Sequence, residues 1–224
     1  MNNFQYIDKL RLTTPKATLK YPKLIEPETK FSPEGHYKVT AVIPAEDAGA
    51  LADQLDALFE AHKVSLKAQA PGQKFKAIDP SYGYEDVDGK PCFTISVKMK
   101  AKGMDRDGRS WSAVPALFDA SGAPVKDREA LRGMWSGTTG RVSFEACPFY
   151  QPALGAGITL RLKAVQILNL VESGGSADSF GFQEEAGGWA SGETQTVVEG
   201  DASAMRTNSF DHTTRLQADE GFDF

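Results

Sequence analysis

Lys98, Lys100 and Lys102 stand at alternate positions, interleaved with Phe93, Ile95, Val97, Met99 and Ala101. Side chains along a β-strand alternate between faces, so this spacing turns the apolar set toward a core and gathers the lysines on the other side. Asp105-Arg106-Asp107-Gly108 follows as a turn signal, and the returning strand carries Arg109 and Trp111 at one parity. That parity is expected to share the lysine face. A row of cations can follow phosphates, and an indole offers a flat surface for a base. Together these meet the two needs of binding single-stranded nucleic acid without sequence preference.

Other residues have the same character. Arg161 and Lys163 flank Leu162 and so share a face of a second strand. Lys20 and Tyr21 lie near the N-terminus, beside Lys16 and Lys23. Tyr82 and Tyr84, either side of Gly83, read as loop aromatics open to stacking, and Tyr150 is a further stacker at a strand end. Its neighbour Phe149 reads as core. Plainer readings stand beside these. Lysines on a polar strand face are often simply solvated, Trp111 can cover a barrel end, and the two tyrosines can pack a loop. The combination points to nucleic acid more strongly than any member does.

Signals of catalysis are weak. There is no Gly-rich loop ending in Gly-Lys-Ser/Thr and no dinucleotide fingerprint. His36, His62 and His212 are dispersed, and none stands at metal-ligand spacing from a cysteine. Asp105 with Asp107, and Asp86 with Asp88, sit in Asp-Gly turns that backbone geometry explains without a metal. Gly137 to Gly140 reads as a connection. No catalytic residue, metal or cofactor is expected. Cys92 and Cys147 each fall within a strand-like run, which argues against a disulfide framework and for a reducing compartment. No apolar run approaches the roughly 18 residues of a membrane span, and Met1 to Tyr6 lacks the pattern of a secretory signal.

The elements that must position these residues are mostly strands. Phe4–Leu12, Lys16–Tyr21, Tyr37–Ile43, Phe93–Lys102, Trp111–Phe118, Arg141–Phe149 and Ile158–Val171 read as β, the last as a central strand. Ala48, Leu51, Ala52, Leu55, Leu58 and Phe59 recur at helical spacing, with Glu46 and Asp47 in the first turn. An amphipathic helix is expected from about Glu46 to Lys63. The segment 70–89 reads as loop, and 128–135 as one or two helical turns. The result is a mainly β fold, an OB-like Greek-key barrel with one inserted helix, although a β-sandwich suits the same pattern.

Charge divides the chain. Up to Glu172 there are 23 Lys and Arg against 20 Asp and Glu, about +3; beyond it, 2 against 10 leave about −8, together the −5 of the whole chain. Residues 1–172 are therefore read as the binding domain and 173–224 as a disordered acidic tail. The tail ends in Asp219-Glu220-Gly221-Phe222-Asp223-Phe224, whose acids keep it solvated while its aromatics can enter a partner's pocket.

Several short motifs are familiar as a set. Phe118 to Pro124 is followed by Gly137 to Gly140, Val142-Ser143-Phe144, Pro148-Phe149-Tyr150, Gly155-Ala156-Gly157 and Val165-Gln166-Ile167-Leu168. Phe180-Gly181-Phe182 opens the tail and Phe224 closes it. From Lys90 to Phe182, and over the last residues, the chain resembles the phage-encoded single-stranded-DNA-binding proteins of replication and recombination. The resemblance implies an OB fold, an acidic tail with a terminal Phe and no enzymatic activity. It implies coating of single strands during phage DNA replication, repair and recombination, in the cytoplasm of the infected bacterial host. The tail would recruit a polymerase, helicase or primase through Phe222 and Phe224, and dimerisation is a further expectation. The resemblance carries over no individual DNA-contacting residue, so the site residues rest on strand faces alone. A phage head or tail protein without nucleic-acid affinity is the alternative, and a nuclease using Asp105 and Asp107 is more remote.

Overall fold

A computed structural model describes Gln5 and residues 7–172. The expected tail, with Asp219, Glu220, Phe222, Asp223 and Phe224, lies outside the described residues. The chain order is β1 (Leu10–Thr13), β2 (Ala17–Glu28), β3 (His36–Pro44), α1 (Ala45–Gln69), β4 (Tyr82–Val87), β5 (Lys90–Lys100), β6 (Lys102–Met104), β7 (Ser110–Ser112), β8 (Ala116–Phe118), β9 (Thr139–Gln151) and β10 (Gly155–Asn169). A single 3-10 turn, Glu129–Leu131, precedes β9.

The sheet closes on itself. β2 pairs with β3, β3 with β5, β5 in parallel with β10, β10 with β9, and β9 again with β2. This ring decides for the Greek-key barrel over the sandwich, and its order is that of an OB fold. β9 closes the ring because it has partners along both edges. β10 takes one edge from Thr139 to Gln151. The other is shared, with β2 opposite Thr139 and Gly140 and β1 opposite Ser143 to Ala146. The gap between them is filled by Thr14. Its N–H donates to the Val142 carbonyl at 3.0 Å, and its Oγ1 accepts from the Val142 N–H at 3.0 Å. β1 and β2 thus behave as one strand interrupted at Pro15, which has no N–H to offer.

Alternation fills the barrel. Leu19, Val39, Ala41, Ile95, Val97, Phe144, Ala146, Leu160 and Leu162 are all buried in one core cluster. α1 adds Ala48, Leu51, Ala52 and Leu55 to the same cluster and packs against β3, β5, β9 and β10. Glu46 and Asp47 occupy its first turn, where carboxylates suit the positive end of the helix dipole. No helix among the described residues is long and apolar enough to cross a membrane.

Four sequence expectations shift. The first strand starts at Leu10, later than read. The helix continues to Gln69, because Leu66 adds a further buried turn beside Tyr150 and Ala156. The segment read as loop contains β4, which pairs along β5 with Tyr82 opposite Ile95 and Tyr84 opposite Phe93. Finally, the strand expected over 111–118 divides. β7 stays in a hairpin with β6, while β8, beyond Pro115, runs parallel to β10.

Glu145 ties the outer surface of the closure together. Its side chain is 5% exposed and is held by Arg11 at 3.0 Å, Lys9 at 3.1 Å and Lys163 at 3.3 Å. Hydrogen bonding to Arg11 lowers its pKa most, with Lys9 and Lys163 adding to this against the opposing effect of burial, and it falls to about 2. A carboxyl held below its ordinary value stabilises the fold above that value, and the contribution is lost as pH falls through the folded one. Glu145→Gln is therefore expected to lower Tm at pH 7, with the gap to the parent shrinking between about pH 4.5 and 2; a constant gap across a pH series of thermal melts would refute the linkage. Gly140 permits the closure itself, since a Cβ there would lie 2.5 Å from the Gln166 carbonyl oxygen and 3.3 Å from Leu19 Cδ1. Gly140→Ala is expected to cost about 1–3 kcal/mol in urea unfolding, through a backbone that must shift.

Candidate nucleic-acid interface

The register of the barrel builds a cross-strand row on its outer face. Lys23 on β2 pairs with Lys38 on β3, Lys38 with Lys98 on β5, and Lys98 with Arg161 on β10. The row continues from Arg161 to Glu145 on β9 and from Glu145 to Arg11 on β1. Each of these residues lies opposite the next, so their charges share one band across strands that are far apart in sequence. The apolar partners on β5 point inward, with Phe93, Ile95 and Val97 buried as alternation requires.

Two grooves adjoin on this face. One, of about 470 Å³, is lined by Tyr21, Lys38, Thr40, Ser96, Lys98 and Phe149 among others. The other, of about 550 Å³, is lined by His36, Lys98, Lys100, Trp111, Arg161 and Lys163 among others. Lys98 and Thr159 line both, so the grooves meet there. α1 lines neither. Thr40 Oγ1 and Ser96 Oγ are 2.8 Å apart, a hydroxyl pair at the floor between the two lysine-bearing strands.

The cations differ in what already holds them. Lys98, Lys102 and Arg161 have no ion pair among the described residues. Lys100 pairs with Glu34 at 2.6 Å, Lys38 with Glu28, and Lys163 with Glu145. Lys100 lowers the Glu34 pKa, chiefly by a hydrogen bond, and Lys38 does the same for Glu28. Lys20 stands 3.7 Å from Asp88. Arg109 lies in the turn and pairs with both Asp105 and Asp107, so its guanidinium is bound locally and lines neither groove. Lys102 is exposed on β6, also outside the lining.

The aromatic expectations separate. Trp111 is 40% exposed, and one face of its indole lies on Gly103, where a Cβ would come within 2.7 Å of Cζ2. Tyr21 is 71% exposed. It sits at an irregularity in the β2–β3 register with φ of 51°, just before Pro22. A bulge of this kind re-aims a side chain, here toward both solvent and the groove. Tyr82 is buried, and its OH approaches Asp56 Oδ1 at 3.5 Å. Burial, and then Asp56, push its pKa up to about 12. Its strand partner is the buried Ile95, so Tyr82 belongs to the inner face and is not a stacking surface. Tyr84 is exposed but packs edge-on against Phe93, on the side of β5 away from Lys98.

Tyr150 is a correction of the same kind. It is buried at the parity of Val142, Phe144 and Ala146, and its ring meets Phe75 edge-on at 5.1 Å. Phe149, read as core, has the outward parity and lines the first groove. Lys38 and Thr40 were absent from the sequence reading of the site. The alternation in Tyr37–Ile43 gives their parity, but only register brings them to Lys98 and Arg161. Among the described residues, no three His, Cys, Asp or Glu side chains group so as to hold a metal ion.

No family model matches the chain. In sequence it is 24% identical, over 238 residues and 98% of each protein, to the single-stranded DNA-binding protein of Escherichia phage T7. In structure it is similar to gp2.5, a single-stranded DNA-binding protein encoded by bacteriophage T7, with a TM-score of 0.63 and 22% identity over 82% of this chain and 100% of that one. It is also similar to the single-stranded DNA-binding protein from bacteriophage Enc34 in complex with ssDNA, with a TM-score of 0.52 and 16% identity over 72% of this chain and 88% of that one. The likeness read from short motifs thus extends over the whole sequence and to the barrel: this chain is similar to the phage single-stranded-DNA-binding proteins and has their OB fold.

Proposed function

We propose that this chain binds single-stranded DNA without sequence preference along the outer face of β3, β5 and β10, and that it acts as a coat and not as an enzyme. The row Lys38–Lys98–Arg161, flanked by Tyr21, Phe149 and Trp111, is the observation that carries the reading. Its cations are spread over three strands and can follow successive phosphates. The rings stand beside them and can take bases of any identity, because every base has a π-face. The sequence and fold relatives support this choice of ligand.

The wider role follows from the same reading. The protein would cover strands exposed in phage DNA replication, repair and recombination in the cytoplasm of the infected bacterium. The segment 173–224, with its net charge of about −8, would recruit replication proteins through Asp219, Glu220, Phe222, Asp223 and Phe224. The same segment would compete with DNA for the basic face, and a second copy of the chain would complete a dimer.

Binding is tested by fluorescence anisotropy of labelled oligo-dT over a series of salt concentrations. The full chain is expected to bind with strong salt dependence, and a chain ending at Glu172 to bind more tightly. No binding by either form at low salt would refute the proposal in favour of a structural role in the virion. Lys98→Ala with Arg161→Ala is expected to weaken binding at least about tenfold at low salt and to flatten the log–log salt slope by about 1.4, since a single strand releases about 0.7 counterion per phosphate contact. Arg109→Ala, which removes a cation already bound by its own turn, is expected to change affinity less than about twofold. Equal effects from the two variants would place the path elsewhere.

A further inference from the structure

We infer that a third groove, between Tyr21 and Trp135, continues the path of the DNA strand and stacks bases on Trp135; this rests on the binding role proposed above. The groove, of about 500 Å³, is lined by Lys20, Tyr21, Lys23, Met134, Trp135 and Ser136 among others. Tyr21 lines both this groove and the first one, so the two adjoin at its ring. Trp135 is not in any regular element and is 59% exposed.

The backbone around Trp135 is fixed while its side chain is left out. The Trp135 N–H donates to the Val171 carbonyl at 2.7 Å, and the Gly137 N–H to the Leu19 carbonyl at 3.0 Å. Between them, Ser136 Oγ accepts the Tyr21 N–H at 2.9 Å. Next in the chain, Thr138 is fully buried and exchanges hydrogen bonds with Val171. The segment is thereby fastened to β2 on one side and to the chain beyond β10 on the other. With the backbone already fixed, only the two side-chain torsions of the indole remain to be ordered when a base is laid on it.

Tyr21 adds a second, independent observation. A non-glycine residue with positive φ is uncommon, and such outliers gather at functional sites. The strained residue is the one whose ring stands between the two grooves, and Ser136 of the Trp135 segment holds its N–H. The groove also repeats the composition of the Trp111 end, a ring beside cations. Lys23 has no ion pair among the described residues, Lys20 has only its 3.7 Å contact to Asp88, and Arg132 is tied to Glu26 and Glu129. A polyanion with flat bases fits such a rim and floor. Continuity with the first groove makes it the same strand.

The test uses the full chain with Trp111→Phe and Trp189→Phe, which leaves Trp135 as the sole indole of the three. Labelled oligo-dT of graded length is titrated, and label anisotropy and Trp135 emission are read on the same samples. Short oligonucleotides are expected to raise anisotropy without quenching Trp135, and longer ones to do both. Trp135→Ala in the otherwise unaltered chain is expected to weaken long oligonucleotides roughly five- to hundredfold and short ones not at all, with Trp135→Phe restoring affinity. Saturating binding of long oligonucleotides with unchanged Trp135 emission overturns the third groove and leaves the main one standing. No anisotropy change at any length, in this variant and in the unaltered chain alike, overturns both. Quenching by a peptide of residues 213–224 but not by DNA assigns the groove to the chain's own end and overturns the inference.

Discussion

Everything on the outer face depends on β9 being paired along both of its edges. A five-strand ring closes only if β9 can meet β10 and the β1–β2 edge at once. Closure then fixes which side of every strand is inside. Once Phe144 and Ala146 face the core, Glu145 and Phe149 cannot, and the same rule acts on β5 and β10. A slip of one residue in β2 or β10 would bury a lysine and expose a leucine. Gly140, without a side chain, and Thr14, with a hydroxyl that stands in for a missing ladder partner, are the local terms on which that register is held.

The basic face is therefore a product of register more than of composition. The described part of the chain has nearly balanced charge, and many of its cations are neutralised where they stand. Arg109 serves its turn, Lys163 and Arg11 serve Glu145, and Lys100 leans on Glu34. What distinguishes Lys98 and Arg161 is that they face each other across the parallel pairing of β5 and β10 and neither forms an ion pair among the described residues, the Glu145 opposite Arg161 being held by Arg11, Lys9 and Lys163. Their neighbours supply potential at longer range. The two contribute the charge that a phosphate can meet directly.

Periodicity made the individual elements legible. The lysine spacing on β5, the helical spacing of Ala48 to Leu55 and the strand character of β9 and β10 all follow from side chains that must be sorted between core and water. Tyr82 and Tyr150 were misread for a related reason. An aromatic beside Gly or Pro looks like a loop residue until its strand partner is known, and for Tyr82 that partner is the buried Ile95. Lys38, Thr40 and Trp135 were overlooked because nothing local marks them. Lys38 acquires meaning by lying opposite Lys98, some 60 residues on, and Trp135 by hydrogen bonds from its segment to β2 and to Val171. Pairing between distant segments is set by the whole closed sheet, and a window of sequence does not contain it.

Trp111 presents a single face, because Gly103 occupies the other. A ring backed by its own hairpin forms a shelf and not a slot. A base set on a shelf arrives from the side, and the backbone on either side of it remains outside the protein. Such a surface can take up a strand in its middle, with no need of a free end to thread. It can also release that base without releasing its neighbours. Under the single-strand binding proposed above, loading and unloading by the side is the geometry that would let each molecule come and go independently of where the strand begins.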